Sequence, residues 1–91
     1  MNEQFGIEIT VLGLVQGVGF RYFIYNHAVE MGLTGFVRNL DDSVFIKAEG
    51  NKSQLEQLLA LALQGPPRAN VTDKKVLHKD YTGSFRDFTI K

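Results

Sequence analysis

Across residues 6 to 31 the apolar period changes from two to about 3.6, with a run of glycines at the change. Ile7, Ile9 and Val11 alternate with Glu8, Thr10 and Leu12, which reads as a half-buried strand over Gly6 to Leu14. Gly13 to Gly19 is glycine-rich. Arg21 to Met31 then reads as a helix, with Phe23, Ile24, His27, Ala28 and Met31 on one side and Gly32 where a C-terminal glycine belongs. A chain that must pass from strand to helix through so short a flexible loop has few layouts open to it.

The remaining elements narrow the choice. Gly35 to Leu40 and Val44 to Glu49 read as strands joined by a tight turn at Asp41, Asp42 and Ser43. A second helix starts at Asn51 or Ser53, both capping residues followed three positions later by Gln54 or Glu56. Leu55, Leu58, Leu59, Ala62 and Leu63 form its apolar stripe, and Gly65, Pro66 and Pro67 stop it. Val71 to Tyr81 is a fourth strand and Phe85 to Ile90 a short fifth. The order β-α-β-β-α-β plus a short terminal strand is that of an α+β, ferredoxin-like split βαβ sandwich: an antiparallel sheet with two helices on one face. Fold alone does not assign function.

Composition removes several classes of function. Ninety-one residues are expected to form one domain, 1–91. There is no cysteine, so disulfides, thiolate catalysis and Cys-ligated metals are out, and a reducing, cytoplasmic setting fits. Ten basic residues balance ten acidic ones. The basic excess of a nucleic-acid binder is missing, but a local anion site needs only one or two charges. Met1 to Gly6 is polar and acidic, and is not read as a signal peptide. The longest apolar stretch, Leu58 to Leu63, is too short for a membrane span.

The chemistry is expected in Gly13-Leu14-Val15-Gln16-Gly17-Val18-Gly19-Phe20-Arg21. Main-chain N–H groups at a helix start are unpaired and, with the helix dipole, attract anions. Gly17 and Gly19 let the chain turn and let a phosphate come close. Arg21 is misplaced for the dipole alone, since cations favour the other end. A bound anion removes the oddity, because a guanidinium grips two phosphate oxygens in a fork. On spacing alone, a phosphate site and a plain turn with a solvated arginine stay equally open. The run matches neither a Walker A loop nor a Rossmann fingerprint.

Four segments resemble the acylphosphatase family. Leu12 to Arg21 is similar to its first signature and Gly32-Leu33-Thr34-Gly35-Phe36-Val37-Arg38-Asn39 to its second. Gly65-Pro66-Pro67-Arg68-Ala69-Asn70-Val71 resembles the segment after its second helix, and Phe88-Thr89-Ile90 its closing strand. The resemblance implies hydrolysis of the carboxyl–phosphate anhydride of a small acyl phosphate, releasing inorganic phosphate. It implies a phosphate loop formed by Val15, Gln16, Gly17, Val18, Gly19 and Phe20. Arg21 would bind the phosphoryl oxygens and Asn39 would position the attacking water. No metal, cofactor, nucleic acid or membrane is implied, and a cytoplasmic monomer is expected. An amide is no strong base, but the leaving carboxylate, with a pKa of about 4, needs none. Without the resemblance, Asn39 reads as a turn residue. The turn after it, Leu40 to Ser43, lacks the family's glycine and is one residue shorter, which puts the aim of Asn39 in question.

The other polar residues read as structural. His27 lies mid-helix and His78 in a strand, with no ligand set around them. Asp41 and Asp42 point apart on a turn. Arg38 faces away from Asn39. Tyr22, Phe23 and Tyr25 read as core or core edge, and Lys74, Lys75 and Lys79 as charges guarding an edge strand. Ser43, Ser53 and Ser84 have no nucleophile context. Two alternatives carry tests. A non-catalytic phosphoanion-binding module would bind phosphate without turnover. An RNA-recognition domain shares the element order, but Ser43 to Gly50 has one aromatic and an acidic end.

Overall fold

A computed structural model describes residues 3–91; Met1 and Asn2, which open the polar N-terminal stretch, lie outside the described residues. The elements are β1 (Phe5–Leu14), α1 (Phe20–Glu30), β2 (Thr34–Asn39), β3 (Ser43–Gly50), α2 (Lys52–Gln64), β4 (Asn70–Asp80) and β5 (Phe88–Ile90). They form one sheet in the order β4-β1-β3-β2-β5. The first four strands pair antiparallel, as expected, and β5 adds to β2 in parallel, so the full sheet is mixed. Both helices pack on the same face of the sheet and touch each other.

The alternation read in β1 sets that face. Ile7, Ile9 and Val11 pair in register with Ala48, Ile46 and Val44 of β3, and all six are buried beneath the helices. On α1 the buried stripe is Phe20, Ile24 and Ala28; on α2 it is Leu55, Leu58 and Ala62. The expected stripe residues Phe23, Met31, Leu59 and Leu63 are partly buried against it.

Helix boundaries follow local chemistry. The Asn51 side chain accepts a hydrogen bond from Gln54 N at 2.8 Å, which makes Asn51 and not Ser53 the cap of α2. α1 ends in a Schellman turn: Gly32 N donates to Val29 O, and Leu33 N reaches back to Ala28 O at 2.9 Å. The buried Leu33 side chain completes that motif. β4 is an edge strand, largely exposed, as its lysines implied.

The other face of the sheet carries Glu8 and Lys47, paired across β1 and β3 with a 3.0 Å ion pair. It also carries Glu49, which is 1% exposed. The chain between β4 and β5 folds over this carboxylate. Its oxygens accept from Thr82 N at 3.0 Å, Thr82 Oγ1 at 2.7 Å and Gly83 N at 3.1 Å. Burial of this carboxyl group is tolerated because three donors stand in for the water it loses. Phe85, farther along the same connection, packs edge-on against Phe36.

Glu49→Ala is expected to lower the unfolding free energy by about 2 kcal/mol, the scale of hydrogen bonds to a charged group. Urea titration measures it. Unchanged stability would mean that water serves Thr82 and Gly83 equally well.

Candidate active site

The site begins where β1 leaves the regular ladder. Its pairing with β4 shifts between Leu12 and Gly13. Gly13 has φ 119°, and a Cβ there would collide with the Asn70 carbonyl oxygen. The bulge turns the chain out of the sheet into the loop.

Two buried side chains hold the loop at its ends. Val15 is 1% and Phe20 2% exposed, and both belong to the core. Between them Gly17 and Gly19 adopt left-handed φ values of 74° and 79°, with nothing within 4 Å of where a Cβ would stand. The crest is therefore main chain open to solvent. Gly19 caps α1 and offers no side-chain acceptor. The first helical bond runs from Phe23 N to Gly19 O, so the N–H groups of Phe20, Arg21 and Tyr22 precede the ladder. The first turn holds no acidic residue. The positive end of the helix is left for an external anion.

A cavity of about 140 Å³ lies over this end. Val15, Gln16, Gly17, Gly19 and Phe20 line it from the loop, with Arg21 and Tyr22 from α1 and Asn39 from the end of β2. The Val18 side chain is not part of the lining; it packs partly against the core. Arg21 is half-buried, and its Nη1 lies 3.4 Å from the Lys91 main-chain oxygen. That residue is itself tied down by Lys91 N donating to Val37 O at 2.8 Å.

Gln16 links the two halves of the cavity. Its side-chain Nε2 donates to Leu40 O at 2.7 Å and to Ser43 O at 2.9 Å. Those carbonyls belong to the turn after Asn39, which Leu40 N also closes on Ser43 O at 2.9 Å. No non-glycine residue in the described chain has positive φ, so the shortened turn closes without a glycine. Asn39 still faces the cavity, paired with Val44 in the ladder.

The remaining candidates are elsewhere. His27 packs edge-on against Phe23, with ring centroids 4.8 Å apart. His78 lies on β4, at a mostly apolar 180 Å³ cavity between the start of β1 and α2 that holds none of the expected site residues. Among the described residues, no three His, Asp or Glu side chains converge. Arg38, Asp41 and Asp42 are exposed. Tyr22 corrects the sequence reading: it is 64% exposed and lies on the cavity rim, not in the core. The signal was present. Tyr22 sits two residues before the buried Ile24, on the opposite side of the helix. Tyr25 and Phe23 are partly buried against the core, as expected.

Comparison with known proteins agrees with the geometry. The family model described as Acylphosphatase matches residues 7–90. An acylphosphatase of Thermotoga petrophila is 48% identical over 86 residues, covering 93% of this chain and 94% of that one. Among solved structures, the acylphosphatase from Bacillus subtilis superposes with a TM-score of 0.91 at 36% identity, covering 96% of this chain and 98% of that one. A full-length HypF in its phosphate- and nucleotide-bound form superposes with a TM-score of 0.91 at 28% identity; the match covers all of this chain and 12% of HypF.

Gln16→Ala removes the side-chain donor to Leu40 O, leaves Ser43 O with Leu40 N alone, and loosens the turn that follows Asn39. The expected result is a loss of about 1–2 kcal/mol in stability. Turnover should fall further than the unfolded fraction explains, read by activity at a temperature where calorimetry shows the variant folded. Turnover at the wild-type level would show that the turn holds Asn39 without help.

Proposed function

The chain belongs to the acylphosphatase family, and from that premise we propose how its cavity does the chemistry. The protein is a hydrolase that converts acyl phosphates to carboxylate and inorganic phosphate. The observation that carries the assignment of roles is the meeting of an uncapped helix start, Arg21 and Asn39 in one cavity, from separate elements.

In this reading the phosphoryl group sits on the loop Val15–Phe20, with main-chain N–H groups as donors and Arg21 gripping its oxygens. Asn39 holds a water with its amide, in line with the scissile bond. The water oxygen bonds to phosphorus as the bond from phosphorus to the acyl oxygen breaks. The acyl group leaves as a carboxylate, and the water's proton passes to a phosphoryl oxygen. A leaving group this weakly basic needs no acid to protonate it. The work left is orientation and stabilisation of charge on the transferring group, which fixed N–H donors and a guanidinium supply. These steps call for no metal or cofactor.

The wider reading is a single domain over 1–91, acting as a cytoplasmic monomer on small acyl phosphates without nucleic acid. Its supports are the balanced charge, the lack of cysteine and the absence, among the described residues, of any helix long and apolar enough to cross a membrane. One competitor is a phosphate-binding module of the same fold that does not turn over. Catalysis decides between them.

With a chelator present, the purified chain is expected to hydrolyse benzoyl phosphate and to be inhibited competitively by inorganic phosphate. Arg21→Ala and Asn39→Ala should each lower kcat/KM by about 10²–10³, the cost of removing one oriented transition-state partner. Arg21→Ala should also weaken phosphate inhibition, whereas Asn39→Ala should leave it nearly unchanged. A folded wild type that binds phosphate without hydrolysis would sink the enzyme reading.

A further inference from the structure

The phosphate cavity offers almost nothing to the other half of a substrate. Val15 and Phe20 are buried and present no apolar surface to solvent. Gly17 and Gly19 have no side chains. Gln16 spends its amide nitrogen on the turn carbonyls, and Arg21 and Asn39 are polar. One large apolar surface remains on the rim: the ring of Tyr22, which is 64% exposed. It follows Arg21 directly, in the first turn of α1, at the end where an anion would be held.

An acyl phosphate seated by its phosphoryl group must project its acyl group out of the cradle. A large aromatic ring at a helix start gains little from folding when it stays mostly in water. It gains if a ligand covers it. Rings attract other rings through offset or edge-on contact, beyond the area they bury.

We propose that Tyr22 is the specificity-determining residue of this site: an aromatic platform that selects acyl phosphates with a flat, apolar acyl group over short ones. The inference rests on the acylphosphatase reading above and names the substrate class within it. Tyr22 acts on binding through its ring face. The hydroxyl plays no part, and the ring does not touch the reacting phosphorus.

The test compares benzoyl phosphate with acetyl phosphate for the wild type, Tyr22→Phe and Tyr22→Ala, using the full chain. Tyr22→Ala should raise KM for benzoyl phosphate about five- to tenfold. Its KM for acetyl phosphate, its kcat on either substrate and its inhibition by inorganic phosphate should stay within about twofold. Tyr22→Phe should keep the wild-type preference. A KM rise shared equally by both substrates overturns the proposal, because it means that Tyr22 only steadies Arg21 or the helix start. An unchanged benzoyl KM overturns it too, as does loss of the preference in Tyr22→Phe. Acetyl phosphate hydrolysis by the wild type tests the parent reading separately; a wild type inert to both substrates overturns the two together.

Discussion

Gln16 donates its side-chain amide to two carbonyls of the β2–β3 turn, 24 and 27 positions away in sequence. Much else in the site depends on that bridge. The loop before α1 is anchored in the core at its ends by Val15 and Phe20, but its glycine crest has no such hold on the hairpin. The hairpin turn, which has no glycine, closes on itself through Leu40 N and Ser43 O. A planar amide between them fixes both at once. It ties the glycine loop to the turn beside Asn39 and so helps hold two walls of the cavity together. In the proposed mechanism, small errors in that spacing are costly to catalysis.

The loop also divides its labour between burial and exposure. Val15 and Phe20 are as buried as any core residue, and the chain between them presents bare main chain. Rigidity therefore comes from below and recognition from above. With Gly19 at the cap, α1 forgoes only a few tenths of a kcal/mol that a serine or aspartate could supply. The same omission keeps the N–H groups of the helix start open, and in the proposed mechanism the substrate's phosphoryl group completes them. Stability and recognition draw on the same few N–H groups.

The sequence showed the architecture clearly because its signals were periodic. Alternation in β1, the stripe of α2 and the caps at Gly32 and Asn51 each have a local cause that the fold retains. From spacing the loop and Arg21 read equally as an anion site or as a plain turn, and Asn39 read as a site residue only through resemblance to known relatives. Asparagine after a strand is ordinary, and only the tertiary placement brings it to the cavity. Three features had no local signature. The Gln16 bridge and the donors to Glu49 join residues at least 24 positions apart, and the parallel addition of β5 is a choice of edge that its three residues cannot announce. Tyr22 was different: its helical position pointed outward, and reading Tyr22, Phe23 and Tyr25 as one core group obscured it.

The strand order carries a consequence for synthesis. β1 is the first strand to leave a ribosome, yet it lies between β4 and β3, and its pairing partners begin at residue 43 and end at residue 80. For most of translation its alternating isoleucines and valine have no sheet to join, and both of its hydrogen-bonding edges are unpaired. Long-range pairing of this kind is slow and leaves nascent chains open to association. The glycines and the early helix that follow β1 give it little to pair with locally. The strand order that sets β1 inside the finished sheet thus makes the first-made of these strands the one that waits longest for its neighbours.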